Sequence, residues 1–166
     1  QPDQLRQRVA FALQQIVVIS GMEINGTYGH RNYQNMLLDN AFGNYRNVLK
    51  KVALSPLMGD FLNNANNDKA APNENFAREL LQLFSIGTCE LNGDGTLRGG
   101  NCMPTYSNEM VRNYAYALTG WTYPAPYSDH VATRQIQPMV LPPQHHEPGE
   151  KRFLGEGLTL VTDAPD

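Results

Sequence analysis

Length, composition and charge set the outer limits on what this chain can be. It has 166 residues, of which 41% are hydrophobic, and this is the size and apolar content of one domain with a single core. The formal net charge is −3, from 13 basic and 16 acidic residues. Because a phosphate-binding surface normally shows a basic excess, we expect no nucleic-acid partner.

The hydropathy pattern bears on the compartment. No apolar run approaches the roughly 20 residues needed to cross a bilayer, so the sequence predicts a soluble chain without a membrane span. No charged start followed by an apolar segment and a cleavage site is present, so we find no secretion signal in the given chain.

Apolar periodicity predicts a series of helices. Leu5, Val9, Ala12, Leu13 and Ile16 recur at spacings of three and four, which predicts an amphipathic first helix. A glycine-containing loop at 26–29 then precedes a second helix at about 33–41.

The next helices carry recognisable start signals. Asn44 can cap a third helix, which breaks at Ser55 and resumes as a short turn through Phe61. Asn73 is the predicted cap of a fourth helix at about 73–84. Ser107 is the predicted cap of a fifth helix at about 108–118.

Other segments are predicted to be irregular. The asparagine-rich stretch 63–69 is too polar to be core and is predicted to be a loop dense in oxygen ligands. Seven prolines after Trp121 deny any long helix. We therefore predict a mainly α protein, an irregular multi-helix bundle. It has a helical domain at 1–121 with a short β-hairpin insertion at about 88–103, and an extended proline-rich C-terminal arm at 122–166.

The two cysteines flank the predicted hairpin. Cys89 and Cys102 are symmetric about Gly95 and Thr96, so an antiparallel ribbon in that register would bring them face to face. A disulfide closing this loop would add about 3 kcal/mol in an oxidising compartment. Two reduced thiols are the alternative.

Two segments carry metal-ligand types of side chain. In the hairpin, Glu90, Asn92 and Asp94 alternate before Gly95, which resembles the first half of a calcium loop, although a plain turn also explains the pattern. In the arm, imidazoles and carboxylates could bind Zn²⁺, although solvent-exposed histidines are the simpler account. This second group comprises His145, His146 and Glu147, with Asp129, His130 and Glu150 as additions from the same region.

Four blocks carry a family resemblance. They are 5–13 (LRQRVAFAL), 73–80 (NENFAREL) followed by 83–87 (LFSIG), 117–121 (ALTGW), and 146–151 (HEPGEK) with 153–155 (FLG), in that order. With them the chain resembles the bacterial domain-of-unknown-function 1800 family. The family usually has His-Asp where this chain has His146 and Glu147.

The resemblance implies a context but no chemistry. Family members are several times longer, so we expect the chain to be an internal slice whose flanking portions are missing. The compartment of the protein is therefore undecided between the bacterial cytoplasm and the periplasm. Because the family has no assigned reaction, it lends no catalytic residues.

Elimination of motifs favours one kind of enzyme. The serine elbow, the dinucleotide fingerprint and the phosphate loop are missing from the sequence. We therefore predict a hydrolase in which Ca²⁺ or Zn²⁺ assists water attack on a small ester or lactone. Glu79 or Glu147 would take the proton, and Arg78 would stabilise the oxyanion.

Two non-catalytic alternatives stay open, and both dispense with a metal. In the first, Glu74, Arg78 and Glu79 tie a structural helical module together through buried charged hydrogen bonds. In the second, the proline-rich arm docks on a protein partner.

Overall fold

The computed structural model describes residues 3–125, 135–153 and 159–161. Helices dominate this part of the chain, which confirms the predicted mainly α class. The elements are α1 (Gln4–Ile16), α2 (Thr27–Asp39), α3 (Tyr45–Ala53), α4 (Pro56–Phe61), α5 (Asn75–Gln82), α6 (Asn108–Ala117), β1 (Glu150–Arg152) and β2 (Thr159–Val161). Among the described residues, no helix combines the length and hydropathy needed to cross a membrane.

The first helix forms as predicted, but only part of the predicted apolar stripe, including Leu13, packs against the core. Leu5 is 67% exposed and Ile16 is 46% exposed, whereas Ala10 is buried in the core. The helix packs against α2. Apolar residues lie on several sides of α1, so their spacing is compatible with more than one buried stripe. The small Ala10 side chain allows close approach of the neighbouring helix.

The second helix begins earlier than predicted, at Thr27 rather than near Tyr33. Gly26 ends the preceding loop with φ 144°. Gly29 lies inside the helix. A Cβ at this position would stand 2.9 Å from Cδ1 of Leu57 in α4, so a residue without a side chain is needed here. The prediction of a loop at 26–29 was therefore wrong. This glycine serves close packing between helices rather than chain reversal.

The predicted cap of α3 is confirmed, and α4 has a cap that was not predicted. Asn44 accepts a hydrogen bond from the N–H of Arg46 at 2.9 Å. Ser55 accepts one from the N–H of Met58 at 3.5 Å, and Pro56 occupies the first turn of α4, where its missing N–H is harmless. These two helices share the main core with α1 and α2.

The fifth and sixth helices form a second, smaller core. Ser107 accepts from the N–H of Met110 at 3.3 Å, as the capping prediction for α6 requires. Asn73 accepts from the N–H of Asn75 at 2.9 Å, but the N-cap of α5 is Glu74, which makes no side-chain capping bond, so the prediction of Asn73 as the cap was wrong. The α5 helix is shorter than predicted, because it ends at Gln82. Its contact with α6 buries Ala77, Leu81, Val111 and Ala115.

The hairpin insertion is present and carries a disulfide between Cys89 and Cys102, whose Cα atoms lie 4.9 Å apart. Its register differs from the symmetric one predicted. Cys89 bridges Pro104, and Leu91 bridges Leu97. A 3-10 turn at Arg98–Gly100 takes up the extra residues on the returning side.

The described parts of the arm return to the helices at defined points. Thr122 pairs with Val140 as an antiparallel bridge, and the N–H of Met139 donates to the carbonyl of Leu54 at 2.9 Å. Further along, β1 and β2 pair in antiparallel fashion, with Lys151 opposite Leu160. This short ladder was not predicted from the sequence.

A carboxylate on α4 anchors the arm. Asp60 Oδ1 accepts a hydrogen bond from the hydroxyl of Tyr123, and Oδ2 accepts one from Nε2 of Gln135 at 2.6 Å. Tyr123 is 8% exposed and Gln135 is 2% exposed. The two arm residues on either side of segment 126–134 are therefore bound to one side chain of the helical part.

Replacement of Tyr123 by phenylalanine should destabilise the protein by about 1–3 kcal/mol, because a largely buried hydrogen bond to a carboxylate is lost. Urea unfolding of the variant measures this change. Tyr28→Phe is the matched control, since Tyr28 is half exposed, and it should stay within about 0.5 kcal/mol. Equal stability of Tyr123→Phe and the parent protein would contradict the anchoring role of Asp60.

Reduction of the disulfide should lower the melting temperature. Closing a loop with a sequence separation of 13 stabilises by about 3 kcal/mol in the chain-entropy model, which corresponds to about 6–12 °C for a chain of this size. Calorimetry with and without reductant measures the shift. The double variant Cys89→Ser and Cys102→Ser should melt like the reduced protein and ignore the reductant. A parent protein insensitive to reductant would contradict this expectation.

Candidate functional site

The asparagine-rich loop 63–69 is more buried than predicted. Asn64 is 1% exposed and Asn67 is 5% exposed, so the expectation that this loop is too polar for the interior was wrong. Asn63 and Asn66 both have φ 59°, a left-handed conformation that asparagine adopts more readily than most residues. Their preference for this region explains why asparagine recurs here.

Backbone and side-chain hydrogen bonds hold this loop in place. Asn67 pairs with the backbone of Asn73 twice, accepting its N–H at 2.7 Å and donating to its carbonyl at 3.3 Å. The Asn67 carbonyl accepts the N–H of Gly120 at 2.7 Å, and the Asn66 N–H donates to the carbonyl of Trp121 at 2.8 Å. The loop thus joins the start of α5 to the chain that follows α6.

The arm brings His145 to the same loop. Its Nδ1 lies 2.5 Å from Oδ2 of Asp68, and its carbonyl accepts the N–H of Lys69 at 3.3 Å. The pKa of Asp68 is lowered, first by the N–H of Ala70 and then by the hydrogen bond to His145. Asp68 is therefore ionised at neutral pH, and it fixes the imidazole with Nε2 directed away from the carboxylate.

His146 is held separately from His145. Its Nδ1 lies 2.8 Å from the carbonyl of Thr119, and because a carbonyl only accepts, Nδ1 must carry the proton. The next N–H, that of Glu147, donates to Oγ1 of the buried Thr119 at 2.8 Å. The two adjacent imidazoles thus have different partners.

Lys151 fixes the turn beyond these histidines, and sequence reasoning missed it. The residue is 4% exposed, and its Nζ donates to the carbonyls of Glu147 at 2.6 Å and Gly149 at 3.0 Å. A buried lysine needs such partners, because an unpaired ammonium in the interior is costly. The sequence signal that could have pointed to Lys151 is its position in the family block that begins at His146.

A cleft opens where the loop and the arm meet. Its volume is about 230 Å³, and residues with carboxamide, carboxylate and imidazole side chains are among those that line it. Gly120 has φ +93°, and a Cβ there would lie 2.9 Å from the backbone N of His146, so only glycine fits at this wall. The lining residues are Asn66, Asn67, Asp68, Gly120, Thr122, Pro142, Gln144 and His145.

Arg78 and Glu79 lie on α5, outside the set of residues that line this cleft. Arg78 pairs with Glu74 at 2.8 Å, and the two side chains are 40% and 36% exposed. The charge pair is therefore at the surface, and the expectation of a buried tie was wrong for it. Glu79 has a buried Oε2 without a hydrogen-bond partner.

The predicted ligands of the hairpin are bonded to neighbours within the hairpin. Glu90 pairs with Arg98 at 3.0 Å, and Asn92 donates to Oγ1 of Thr96 at 3.0 Å. Asp94 accepts both the hydroxyl and the N–H of Thr96, and these two bonds lower its pKa. The arrangement is that of a tight turn stabilised by its own side chains.

The structure does not gather the predicted metal ligands into one cluster. Within residues 3–125, 135–153 and 159–161, no group of three or more histidine, cysteine, aspartate or glutamate side chains is placed to hold a metal ion. Glu150 belongs to β1 and is exposed. Asp129 and His130 lie outside the described residues.

A helical bundle with a cleft lined in part by its own proline-rich arm is the class that the fold and the site define. A model of the family described as a protein of unknown function (DUF1800) matches residues 1–161. The chain therefore belongs to this family, as its four sequence blocks indicated. Neither the curated proteins nor the solved structures include a match to the chain.

Acid should weaken the fold partly through Asp68. Because its pKa is lowered from the ordinary value of 3.8, its stabilising contribution is complete above that pH and is lost as the pH falls towards the lowered pKa. Asp68→Asn should flatten the decline in stability below about pH 4. Urea unfolding from pH 6 to pH 2 tests this. His145→Gln should give a smaller effect, since the Ala70 N–H remains. An unchanged slope in Asp68→Asn would contradict the expectation.

Proposed function

We propose that the cleft hydrolyses a small ester or lactone, with His145 activating the attacking water. The observation that carries this proposal is the hydrogen bond between Asp68 and Nδ1 of His145 at the wall of the cleft. A carboxylate at Nδ1 orients the ring and stabilises the imidazolium that forms when Nε2 takes a proton. The ionised state of Asp68 supports the same role.

The reaction is an acyl transfer to water. Nε2 of His145 takes a proton as the water oxygen bonds to the carbonyl carbon, which creates a tetrahedral intermediate. The same imidazolium then returns the proton to the leaving alkoxide as the carbon–oxygen bond breaks. The side-chain amides of Asn66 and Gln144 line the cleft and are donors suited to the developing oxyanion.

This arrangement changes the roles assigned from the sequence. His145 takes the part of general base that was assigned to Glu79 or Glu147, because it lines the cleft and has an orienting carboxylate. A Zn²⁺ ion on Nε2 would be compatible with the same pair, since metal-binding histidines commonly donate their other N–H to a carboxylate. Calcium at the hairpin is a weaker proposal, since Glu90 pairs with Arg98.

Substitution of the pair should abolish hydrolysis without unfolding the protein. His145→Gln should slow turnover of a nitrophenyl ester or a small lactone by about 100-fold or more, and Asp68→Asn by about 10–100-fold. Both side chains are more than one-third exposed, so circular dichroism should remain that of the parent. Steady-state kinetics with a panel of short-chain esters and lactones measures the loss.

Asp94→Asn is the matched control for Asp68→Asn. Both aspartates are exposed and accept the N–H two residues ahead, but only Asp68 faces the cleft. Parent activity in Asp94→Asn with loss in Asp68→Asn would support the proposal. If a chelator lowers the hydrolysis rate and Zn²⁺ restores it, the metal-assisted mechanism is favoured. If the parent protein hydrolyses none of the esters and lactones in the panel, the non-catalytic helical module is favoured.

A further inference from the structure

Two Asn-Gly pairs occur in the chain. Asn92 and Gly93 lie at the tip of the hairpin, and Asn25 and Gly26 lie just before α2. In such a pair the main-chain nitrogen of the glycine can attack the side-chain amide carbon of the asparagine and close a cyclic imide. Glycine favours this attack, because it has no Cβ to hinder the approach and its backbone rotates most freely. The surroundings of each pair therefore decide whether it reacts.

The pair at the hairpin tip is exposed. Asn92 and Gly93 both face solvent, and a Cβ added at Gly93 would meet no atom within 4 Å. Among the described residues, no backbone hydrogen bond is donated by the Gly93 N–H. The nitrogen that attacks in this reaction is therefore available at the tip.

The hydrogen bonds of the Asn92 side chain open easily. Its Nδ2 donates to Oγ1 of Thr96 at 3.0 Å and to the carbonyl of Leu97 at 3.5 Å, and all three residues are exposed. Exposed hydrogen bonds between neutral groups exchange readily for bonds to water, so they resist rotation of the amide only weakly. The amide carbon of Asn92 can therefore turn towards the Gly93 nitrogen.

The pair before α2 is held on both sides. The Asn25 carbonyl accepts from Nε2 of the buried Gln135 at 3.4 Å, and the Gly26 carbonyl accepts the N–H of His30 in α2 at 3.0 Å. A Cβ at Gly26 would lie 1.9 Å from Oε1 of Gln135, so this glycine is packed against that side chain. Ring closure requires rotation of the peptide between Asn25 and Gly26, and this rotation would break these contacts.

We propose that Asn92 is a site of spontaneous deamidation and that the fold protects Asn25 from the same reaction. The Gly93 nitrogen loses its proton to hydroxide and bonds to Cγ of Asn92, and ammonia leaves. Water then opens the imide. Cleavage of the bond to Cγ leaves aspartate, and cleavage of the bond to the main-chain carbonyl carbon leaves isoaspartate. The net reaction consumes water and releases ammonia.

The adjacent Asp94, which precedes Gly95, is not expected to cyclise in the same way. The hydroxyl of Thr96 and then its N–H lower the pKa of Asp94 by donating to its carboxylate. An ionised carboxylate repels a nucleophile and lacks a good leaving group, whereas the neutral amide of Asn92 releases ammonia. Position 92 is therefore the reactive one at the tip.

The product changes the hairpin tip and leaves its base closed. A carboxylate at position 92 cannot donate to the Leu97 carbonyl, and isoaspartate lengthens the turn in which the Gly95 N–H donates to the Asn92 carbonyl at 3.0 Å. Below this turn, the disulfide between Cys89 and Cys102 joins the two sides of the ribbon. We therefore expect the helices to keep their circular dichroism after the reaction.

The test incubates the full chain in mildly alkaline buffer and follows positions 92 and 25 by peptide mapping. Mass spectrometry detects the replacement of NH₂ by OH, and electron-transfer fragmentation separates isoaspartate from aspartate. Asn92 should convert about tenfold faster than Asn25 or more, since only Asn25 must break packed contacts to react. The rate should rise with pH, because the attacking nitrogen must lose its proton. In guanidinium chloride, where the fold is lost, both pairs should convert at similar rates.

Two variants test the chemistry. Gly93→Ala fits the tip, because its Cβ meets no atom, and it should slow conversion of Asn92 about tenfold or more by hindering the attack. Asn92→Gln keeps the carboxamide on a longer side chain and should stay unmodified over the same period. The proposal is overturned if Asn25 converts as fast as Asn92 in the folded protein. It is also overturned if Asn92 reacts only after unfolding, if the difference persists in guanidinium chloride, or if Gly93→Ala reacts at the parent rate.

Discussion

The two oxygens of the Asp60 carboxylate hold the arm against the helical part of the protein. One oxygen binds Tyr123 and the other binds Gln135, on either side of segment 126–134. A partly buried carboxylate requires such donors, since desolvating an unpaired charge costs several kcal/mol. The hydrogen-bonding requirement of the Asp60 carboxylate on α4 therefore holds the arm, and the arm residues Pro142, Gln144 and His145 of the cleft follow these contacts along the chain.

The cleft and a second cavity, which lies beside α2, both depend on this return of the arm. His145 reaches Asp68 only because the chain after Met139 runs beside Thr122 and the asparagine-rich loop. Gln135 is among the residues that line the second cavity, and its amide nitrogen donates to Asp60. The helices alone would supply one wall of each cavity. The chemistry of both depends on residues that regular secondary structure does not position.

The helices could be predicted from sequence because their signals are local. Asn44 and Ser107 accept hydrogen bonds from N–H groups two or three residues ahead, and these capping bonds need no other part of the chain. The buried face of α1 and the partner of His145 could not be predicted in the same way. Asp68 lies 77 positions from His145, and residue types alone do not reveal which carboxylate a distant loop will present.

The tip of the disulfide-closed hairpin stands clear of the rest of the described structure. A side chain added at Gly93 would meet no atom within 4 Å, and neighbouring positions at the tip are exposed. Loop tips of this kind tolerate insertions well. A fluorophore or an affinity tag placed at Gly93 would therefore report on the protein, or immobilise it, while leaving both cavities open to small molecules.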